Sequence, residues 1–180
     1  MARRLPQPTG FSATAPVFPK ISYNFVQQAP PPISHLDMNL PDEHSKRFVA
    51  ILNKKVETGR LLNALGHMTA GLAGGSAKNE DMCFLQYADA EGGTHPNISH
   101  FPFIVLQADN SNQIRSIRGE AIKRGIPFTD FTSTMTVGTS LEQQANTKAT
   151  VEKDLEYYGM CMFGETSILK ELTKKFSLFR

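Results

Sequence analysis

The chain has 180 residues, 40% of them hydrophobic and 20% charged, which is typical of a globular domain with some additional sequence. Its net charge is only +2, with 19 Lys and Arg against 17 Asp and Glu, whereas a large non-specific nucleic-acid surface would show a marked basic excess. No apolar run approaches the roughly 18 residues that span a bilayer, so we expect neither nucleic-acid binding nor membrane insertion.

Residues 1–42 are predicted to form a Pro-rich extended arm, and residues 43–180 a separate α/β domain. Eight of the 11 prolines precede residue 42, and proline disfavours both a continuous helix and a central strand. The stretch APPPI (29–33) is typical of polyproline II. The arm is therefore expected to be a linker or a docking segment without a core of its own.

The arm also carries apolar residues that a purely solvated linker would not need. They are Phe11, Val17, Phe18, Ile21, Tyr23, Phe25 and Val26. We expect the stretch PVFPKISYNFVQQ to dock in extended form, for example by adding a strand to a sheet edge; the alternative is disorder with incidental aromatics. Residues 11–32 are the predicted contact with a protein partner or with a second copy of the chain.

The domain begins with an apolar run, RFVAILN (47–53), which is typical of a buried strand. A helix is predicted over 58–73, with Thr58 as its N-cap and Gly74-Gly75 at its end. Three elements come next: a strand over 82–89, a loop or hairpin turn in GGTHPNISH, and a strongly apolar strand over 101–109.

The stretch SNQIRSIRGEAIKRG is predicted to be a helix that ends at Gly125. Its inward-facing residues are expected to be Ile114, Ile117, Ala121 and Ile122. Four elements follow: a short strand over 127–135, a long loop with some helix over 137–154, a strand over 155–164 and a helix over 166–176. Strands that alternate with helices indicate an α/β or α+β sandwich.

No cofactor or metal is expected. Cys83 and Cys161 have no partner at the short paired spacings of a zinc site, which needs about four ligands. A dinucleotide fingerprint places its glycines at the start of a helix, whereas Gly71, Gly74 and Gly75 come at the end of one. Two unpaired cysteines, and an N-terminus without the apolar region of a secretory signal, predict buried thiols in a reducing, cytoplasmic compartment.

The helix over 58–73 is predicted to have two different sides. Leu61, Ala64, Leu65, Met68 and Leu72 gather on one side, which should pack on the sheet. Arg60, Asn63 and His67 form a stripe on the other. No acidic residue lies between Arg60 and Gly75, so this side should let another molecule come close.

The start of the same helix is a predicted anion site. Arg60 lies in the first turn, where the helix dipole disfavours a cation. A basic side chain beside free backbone N–H groups suits a phosphate or carboxylate. Gly59, Arg60, Asn63 and His67 are therefore candidate ligand-binding residues; the alternative is that Asn63 and His67 are structural and hydrogen-bond to neighbouring loops.

A second cluster of basic residues lies in RSIRGEAIKR. It consists of Arg115, Arg118, Lys123 and Arg124. The cluster is either a local basic patch or an ordinary solvated helix face. From Glu43 onward the charges nearly balance, which favours the solvated face.

Five blocks together resemble a known family, the domain-of-unknown-function family numbered 2000. They are LLNALGHMTAGLAG, FPFIVLQAD, FTSTM, YYGMCMFG and LTKKFSLF. The resemblance covers about residues 46–180 and implies the fold of the type II peptidyl-tRNA hydrolases, a mixed four- to five-stranded sheet flanked by helices. The Pro-rich arm lies outside it.

The hydrolase resemblance implies site residues one by one. Those enzymes open their first helix with Gly-Lys and have a histidine seven residues after the lysine; here Gly59, Arg60 and His67 match, with arginine in place of lysine. Their Asp-Ala-Gly-Arg-Thr run is matched only by Asp130 and Thr134. The resemblance thus implies a catalytic set of Arg60, Asp130 and Thr134, in which Asp130 orients a water and Arg60 holds an oxyanion, and it adds Asp130 to the ligand-binding residues.

Two functions compete. The first is a non-catalytic binding or assembly module, which holds a protein partner or a small anionic ligand through the Arg60/Asn63/His67 helix face and the arm. The alternative is a hydrolase of an ester or amide bond, similar to peptidyl-tRNA hydrolase. The absence of a Gly-x-Ser-x-Gly elbow, the incomplete hydrolase motif and the near-neutral charge favour the binding module.

Overall fold

The computed structural model describes residues 40–75 and 79–180. Nearly all of the predicted arm, residues 1–39, lies outside the described residues, as does the predicted partner segment 11–32. The described chain contains four α-helices and seven strands. Within it, no helix is long and apolar enough to cross a membrane.

Strands and helices alternate along the chain, as predicted, except that three strands come in succession between the first two α-helices. The strands are β1 (Lys46–Asn53), β2 (Phe84–Ala88), β3 (Thr94–Ser99), β4 (Phe103–Ala108), β5 (Phe128–Thr132), β6 (Tyr157–Glu165) and β7 (Ser177–Leu178). The helices are α1 (Thr58–Gly75), α2 (Ser111–Arg124), α3 (Ser140–Ala149) and α4 (Thr166–Thr173).

Five strands form one mixed sheet in the order β5-β6-β1-β4-β7. β1 pairs with β4 in parallel, and every other neighbouring pair is antiparallel. The predicted α/β fold with a four- to five-stranded mixed sheet is thus confirmed at the level of architecture. β2 and β3 pair only with each other among the described strands and form a separate hairpin.

The sheet is covered on both faces, in keeping with β1, which is apolar at every position from Phe48 to Leu52. Its residues Phe48, Ala50 and Leu52 face α1 and belong to one core cluster. Its residues Val49 and Ile51 face the opposite way and pack in a second cluster with α2 and α4. Successive side chains of a strand point to opposite faces of the sheet, so β1 contributes alternate residues to the two core clusters.

Several predicted details are confirmed, and others are wrong. α2 ends at Gly125, which has a φ of +64° and accepts the left-handed conformation that side chains disfavour. Ile122, predicted to face inward, is 53% exposed, because it lies beyond the edge of the buried stripe. Residues 94–99, predicted as a loop or turn, form β3. β7 is too short to be recognised from sequence.

Both cysteines are free thiols. Cys161 lies in the centre of β6 and is fully buried, as predicted, and burial raises the pKa of its thiol to about 12. Cys83 is half-buried, at the entrance to the hairpin.

Candidate functional site

α1 has one buried and one exposed side, as its sequence predicts. Its buried residues are Leu61, Ala64, Met68 and Leu72. Arg60, Asn63 and His67 are all exposed, and we call these three residues the α1 flank. The predicted stripe is therefore brought together on the surface by the helical period alone.

His67 is held against the domain by its ring. The imidazole stacks on Phe131 of β5, with 5.7 Å between ring centroids and 25° between ring planes. Phe131 is itself buried among the α1-side core residues. His67 therefore has a fixed inner face and an outer face that meets solvent.

The first turn of α1 already holds a carboxylate. The backbone N–H groups of Gly59 and Arg60 donate to the two carboxylate oxygens of Glu57, at 2.7 and 3.0 Å. These two bonds lower the pKa of Glu57. The helix is thus capped by Glu57 and not by Thr58 as predicted, and the predicted anion position is occupied by a side chain of the chain itself.

Beside the flank lie two shallow depressions. The first has a volume of about 300 Å³ and is lined by Glu57, Gly59, Arg60, Asn63, Thr136 and Val137. The second has a volume of about 350 Å³ and is lined by Ser133, Thr134, Val137, Asn146, Ala149 and Thr150. Val137 lines both and is 77% exposed, so the two depressions adjoin at this residue; together we call them the strip between α1 and α3.

Thr134, a predicted catalytic residue, is part of a chain of hydroxyl groups. Its Oγ1 lies 2.8 Å from that of Thr132 and 2.7 Å from that of Thr147. Thr147 donates its only hydroxyl proton to the carbonyl oxygen of Gln143, at 2.8 Å, so Thr134 must donate to Thr147 and Thr132 to Thr134. The proton of Thr134 is therefore already used in joining α3 to the end of β5.

Asp130 lies on the other face of the sheet from the α1 flank. Its neighbours in β5 both face α1: Thr129 donates to the carbonyl oxygen of Met68 at 2.7 Å, and Phe131 underlies His67. Asp130 faces α2, where Arg118 Nε donates to its Oδ2 at 2.6 Å. The structure therefore brings Arg60 and Thr134 to adjoining depressions but does not bring Asp130 to either.

Asp130 instead belongs to a network that sequence reasoning missed. Burial disfavours the charge of Arg118, but the hydrogen bond with Asp130 and the nearby negative charges of Asp130 and Glu152 together outweigh it and raise the pKa of the guanidinium. That guanidinium lies over the rings of Phe128 and Tyr157, 5.6 and 6.0 Å from their centroids. Tyr157 donates its hydroxyl to Glu152 at 3.0 Å, and burial raises its pKa to about 12.

The other basic side chains of α2 also have acidic partners. Arg115 pairs with Glu152 at 3.0 Å, Lys123 with Glu120 at 2.8 Å, and Arg124 with both Glu120 and Glu171 at 3.7 Å. The basic cluster read from the sequence is therefore a set of ion pairs within the domain. Two of the three acidic partners, Glu152 and Glu171, come from distant segments, which is why the sequence of α2 alone suggests a basic patch.

A cavity of about 670 Å³ lies away from the predicted residues. Its charged lining residues are Lys46, Asp81 and Glu165, and its apolar ones include Phe128 and Phe163. Lys46 Nζ lies 3.7 Å from Asp81 Oδ2, so this pair is satisfied internally. Within residues 40–75 and 79–180, no three His, Cys, Asp or Glu side chains are grouped as metal ligands.

The chain belongs to the family described as protein of unknown function DUF2000, whose model matches residues 46–180. A solved protein of unknown function from Agrobacterium tumefaciens strain C58 has a similar structure, with a TM-score of 0.65 at 18% identity. That match covers 76% of this chain and 98% of the other, and at this identity it shows a shared fold alone. No curated protein matches the chain.

Proposed function

We propose that this protein is a binding module that holds a short polypeptide segment along the strip between α1 and α3. The observation that supports this most is that the two depressions share Val137, an aliphatic residue that is mostly exposed. Arg60 and Asn63 border one end of the strip and Asn146 the other, which supplies hydrogen-bonding groups on both sides of an apolar centre.

A polypeptide fits this strip better than a small anion does. An anion at the start of α1 would compete with Glu57, whose carboxylate already accepts from two backbone N–H groups. Small-molecule sites usually enclose most of their ligand, whereas these two depressions are shallow and adjoin at Val137. A peptide can cross both and contact Val137 between them.

We also propose that the fold is that of the type II peptidyl-tRNA hydrolases. The mixed sheet covered by helices on both faces, and the Gly59-Arg60 start of α1 with His67 seven residues on, support this. A hydrolase remains the second candidate, because Arg60 and Thr134 border adjoining depressions. Against it, Asp130 is paired with Arg118 on the opposite face and cannot orient a water beside Arg60.

Peptide selection tests the binding proposal. A random peptide library is selected against the full chain, and the affinity of the selected peptides is measured for the wild type, Val137→Asp and Ile122→Asp. Ile122 is the matched control, an exposed aliphatic residue on α2. We expect Val137→Asp to weaken binding at least about tenfold, which is about 1.4 kcal/mol, and Ile122→Asp to leave it unchanged. Failure to select a peptide, or equal loss in both variants, would contradict the proposal.

A direct assay tests the alternative. Release of N-acyl amino acid from peptidyl-tRNA is followed with the wild type, Arg60→Ala and Asp130→Ala. We expect no release from any of the three. Release by the wild type that is lost in Arg60→Ala would establish the hydrolase and remove the binding module as the main function.

The role of the arm, the cytoplasmic location and the formation of an oligomer remain predictions. The arm is predicted to contact a protein partner or a second copy through residues 11–32, outside the described residues. The proposed peptide site on α1 does not depend on any of them.

A further inference from the structure

The cavity of about 670 Å³ lies at the C-terminal end of α1. Gly71, Leu72 and Gly75 of α1 line one side of it, and residues at the start of β5 and the end of β6 line another. Its volume falls in the range of about 300–1,000 Å³ that small-molecule sites usually have. None of its lining residues belongs to the strip between α1 and α3, so the cavity is separate from the proposed peptide site.

Glycines border much of this cavity. Gly71, Gly75, Gly125 and Gly164 all line it. A Cβ added at Gly75, Gly125 or Gly164 would meet no atom within 4 Å, and one at Gly71 would meet only Thr129 Cγ2, at 3.3 Å. The backbone at these positions therefore borders open space, where larger residues would place side chains.

Apolar side chains form another part of the wall, namely Leu72, Pro127, Phe128 and Phe163. Leu72 and Phe163 are almost fully buried and belong to the core cluster on the α1 side. Phe128 packs against the cluster on the opposite face of the sheet. Because core packing holds these side chains in place, the wall is preformed and suits a ligand with an apolar body.

Three charged side chains, Lys46, Asp81 and Glu165, also line the cavity. Lys46 Nζ lies 3.7 Å from Asp81 Oδ2, so these two charges offset each other. Glu165 lies directly opposite Lys46 in the pairing of β1 with β6. Among residues 40–75 and 79–180, however, no basic side chain forms an ion pair with Glu165, and its carboxylate makes no capping bond to α4. The described lining therefore has one carboxylate more than it has ammonium groups.

The end of α1 adds to the negative potential of the cavity. A helix C-terminus carries a partial negative charge, and Gly75, the last residue of α1, lines the cavity. The last turn of α1 contains no basic residue that would offset this charge. The helix end and the Glu165 carboxylate thus both favour a cation over an anion.

We propose that this cavity binds a small organic cation, an amine with an apolar body. Its ammonium group lies near Glu165 and the end of α1, and its apolar body lies against Leu72 and Phe163. An anion of the same shape would face the Glu165 carboxylate, while the ammonium of Lys46 is already paired with Asp81. The proposal goes beyond the peptide site and does not depend on it.

Three probes with the same phenylalkyl body test the charge preference. The isotope-labelled full chain is titrated near neutral pH with phenylbutylamine, phenylbutanol and phenylbutyrate, and the amide signals of Gly71, Gly125 and Gly164 are followed by NMR. We expect the amine to bind at least about fivefold more tightly than the alcohol, and the carboxylate to bind more weakly than the alcohol. No shift of these signals, equal affinities or a preference for phenylbutyrate would overturn the proposal.

Variants test the role of Glu165. Glu165→Gln should weaken phenylbutylamine binding at least about fivefold, and Lys46→Met should strengthen it, because Asp81 loses its partner. The matched control is Glu171→Gln, which removes a carboxylate of α4 outside the cavity and should leave the affinity unchanged. The same spectra show whether each variant is folded. Equal affinity of the wild type and Glu165→Gln, equal loss in Glu171→Gln, or weaker binding by Lys46→Met would contradict the assignment.

Discussion

At the scale of single residues, the alternation of side chains along β5 decides the composition of the candidate site. Thr129 and Phe131 contact α1, and Asp130 between them contacts α2. Asp130 and Thr134 lie four residues apart in the sequence. However, successive residues of β5 face opposite sides of the sheet, so Asp130 points away from the α1 flank. The sequence therefore supplies candidate residue types for the site but no information on whether they meet.

Asp130→Asn is expected to destabilise the domain by about 1–3 kcal/mol, because it leaves the guanidinium of Arg118 half-buried without a charged partner. The side chains of Asp130 and Arg118 are 17% and 31% exposed, so solvent screens the pair only in part. Urea unfolding of the wild type, Asp130→Asn, Arg118→Met and the double variant measures the effect and the coupling.

The control for this pair is Glu120→Gln, whose partners Lys123 and Arg124 lie on the exposed side of the same helix. It should not change the unfolding midpoint measurably. Peptide binding at the α1 flank should be the same in Asp130→Asn and the wild type. Loss of binding in a folded Asp130→Asn variant would show that Asp130 acts in the site after all.

At the scale of elements, close packing of α1 on the sheet depends on Gly159 of β6. A Cβ at this position would lie 2.8 Å from Leu52 Cδ2, 2.9 Å from Met68 Cε and 3.0 Å from the carbonyl oxygen of Ile51. The two side-chain ends can move, but the backbone oxygen cannot without disturbing β1. The helix that carries the candidate site is thus positioned by a glycine on a neighbouring strand.

Gly159→Ala is therefore expected to destabilise the domain by about 1–3 kcal/mol through overpacking. Gly164→Ala is the matched control, since it lies on the same strand and a Cβ there meets nothing within 4 Å; its effect should stay within about 0.5 kcal/mol. Thermal and urea unfolding give both values. Equal stability of the two variants would contradict the packing argument.

The start of α3 is explained by a local sequence signal, a capping box. It has no buried residue, so the apolar period that identifies most helices is missing, and the segment was predicted mainly as a loop. Thr139 and Glu142 form a complete capping box at its start, a signal that the sequence displays as Thr-Ser-Leu-Glu. The capping box therefore predicts where this helix begins without any tertiary information.

At the scale of the whole molecule, positive and negative charges nearly balance, and the same balance is found on the surface of α2. The basic side chains of α2 are neutralised by acidic residues of the same domain. A surface of this kind releases few counterions on contact with nucleic acid. The overall charge and the arrangement of ion pairs therefore both oppose non-specific nucleic-acid binding.

The full chain is expected to bind a 30-base-pair duplex more weakly than about 100 μM at about 0.15 M salt. Removing the acidic partners by Glu120→Gln with Glu171→Gln should strengthen binding and increase its salt dependence, because Lys123 and Arg124 lose their counter-charges. Fluorescence anisotropy over a salt series measures both. Tight, salt-dependent binding by the wild type would contradict this interpretation.

By itself, the sequence determined the order of most strands and helices, though not β3, β7 or α3, and the two-sided character of α1, because these depend on side-chain periods within one segment. It also determined that Arg60, Asn63 and His67 share a surface, since one helix carries all three. Only the tertiary structure decided that β2 and β3 leave the main sheet and that Asp130 faces Arg118. Those outcomes depend on contacts between segments far apart in the chain, which no local period encodes.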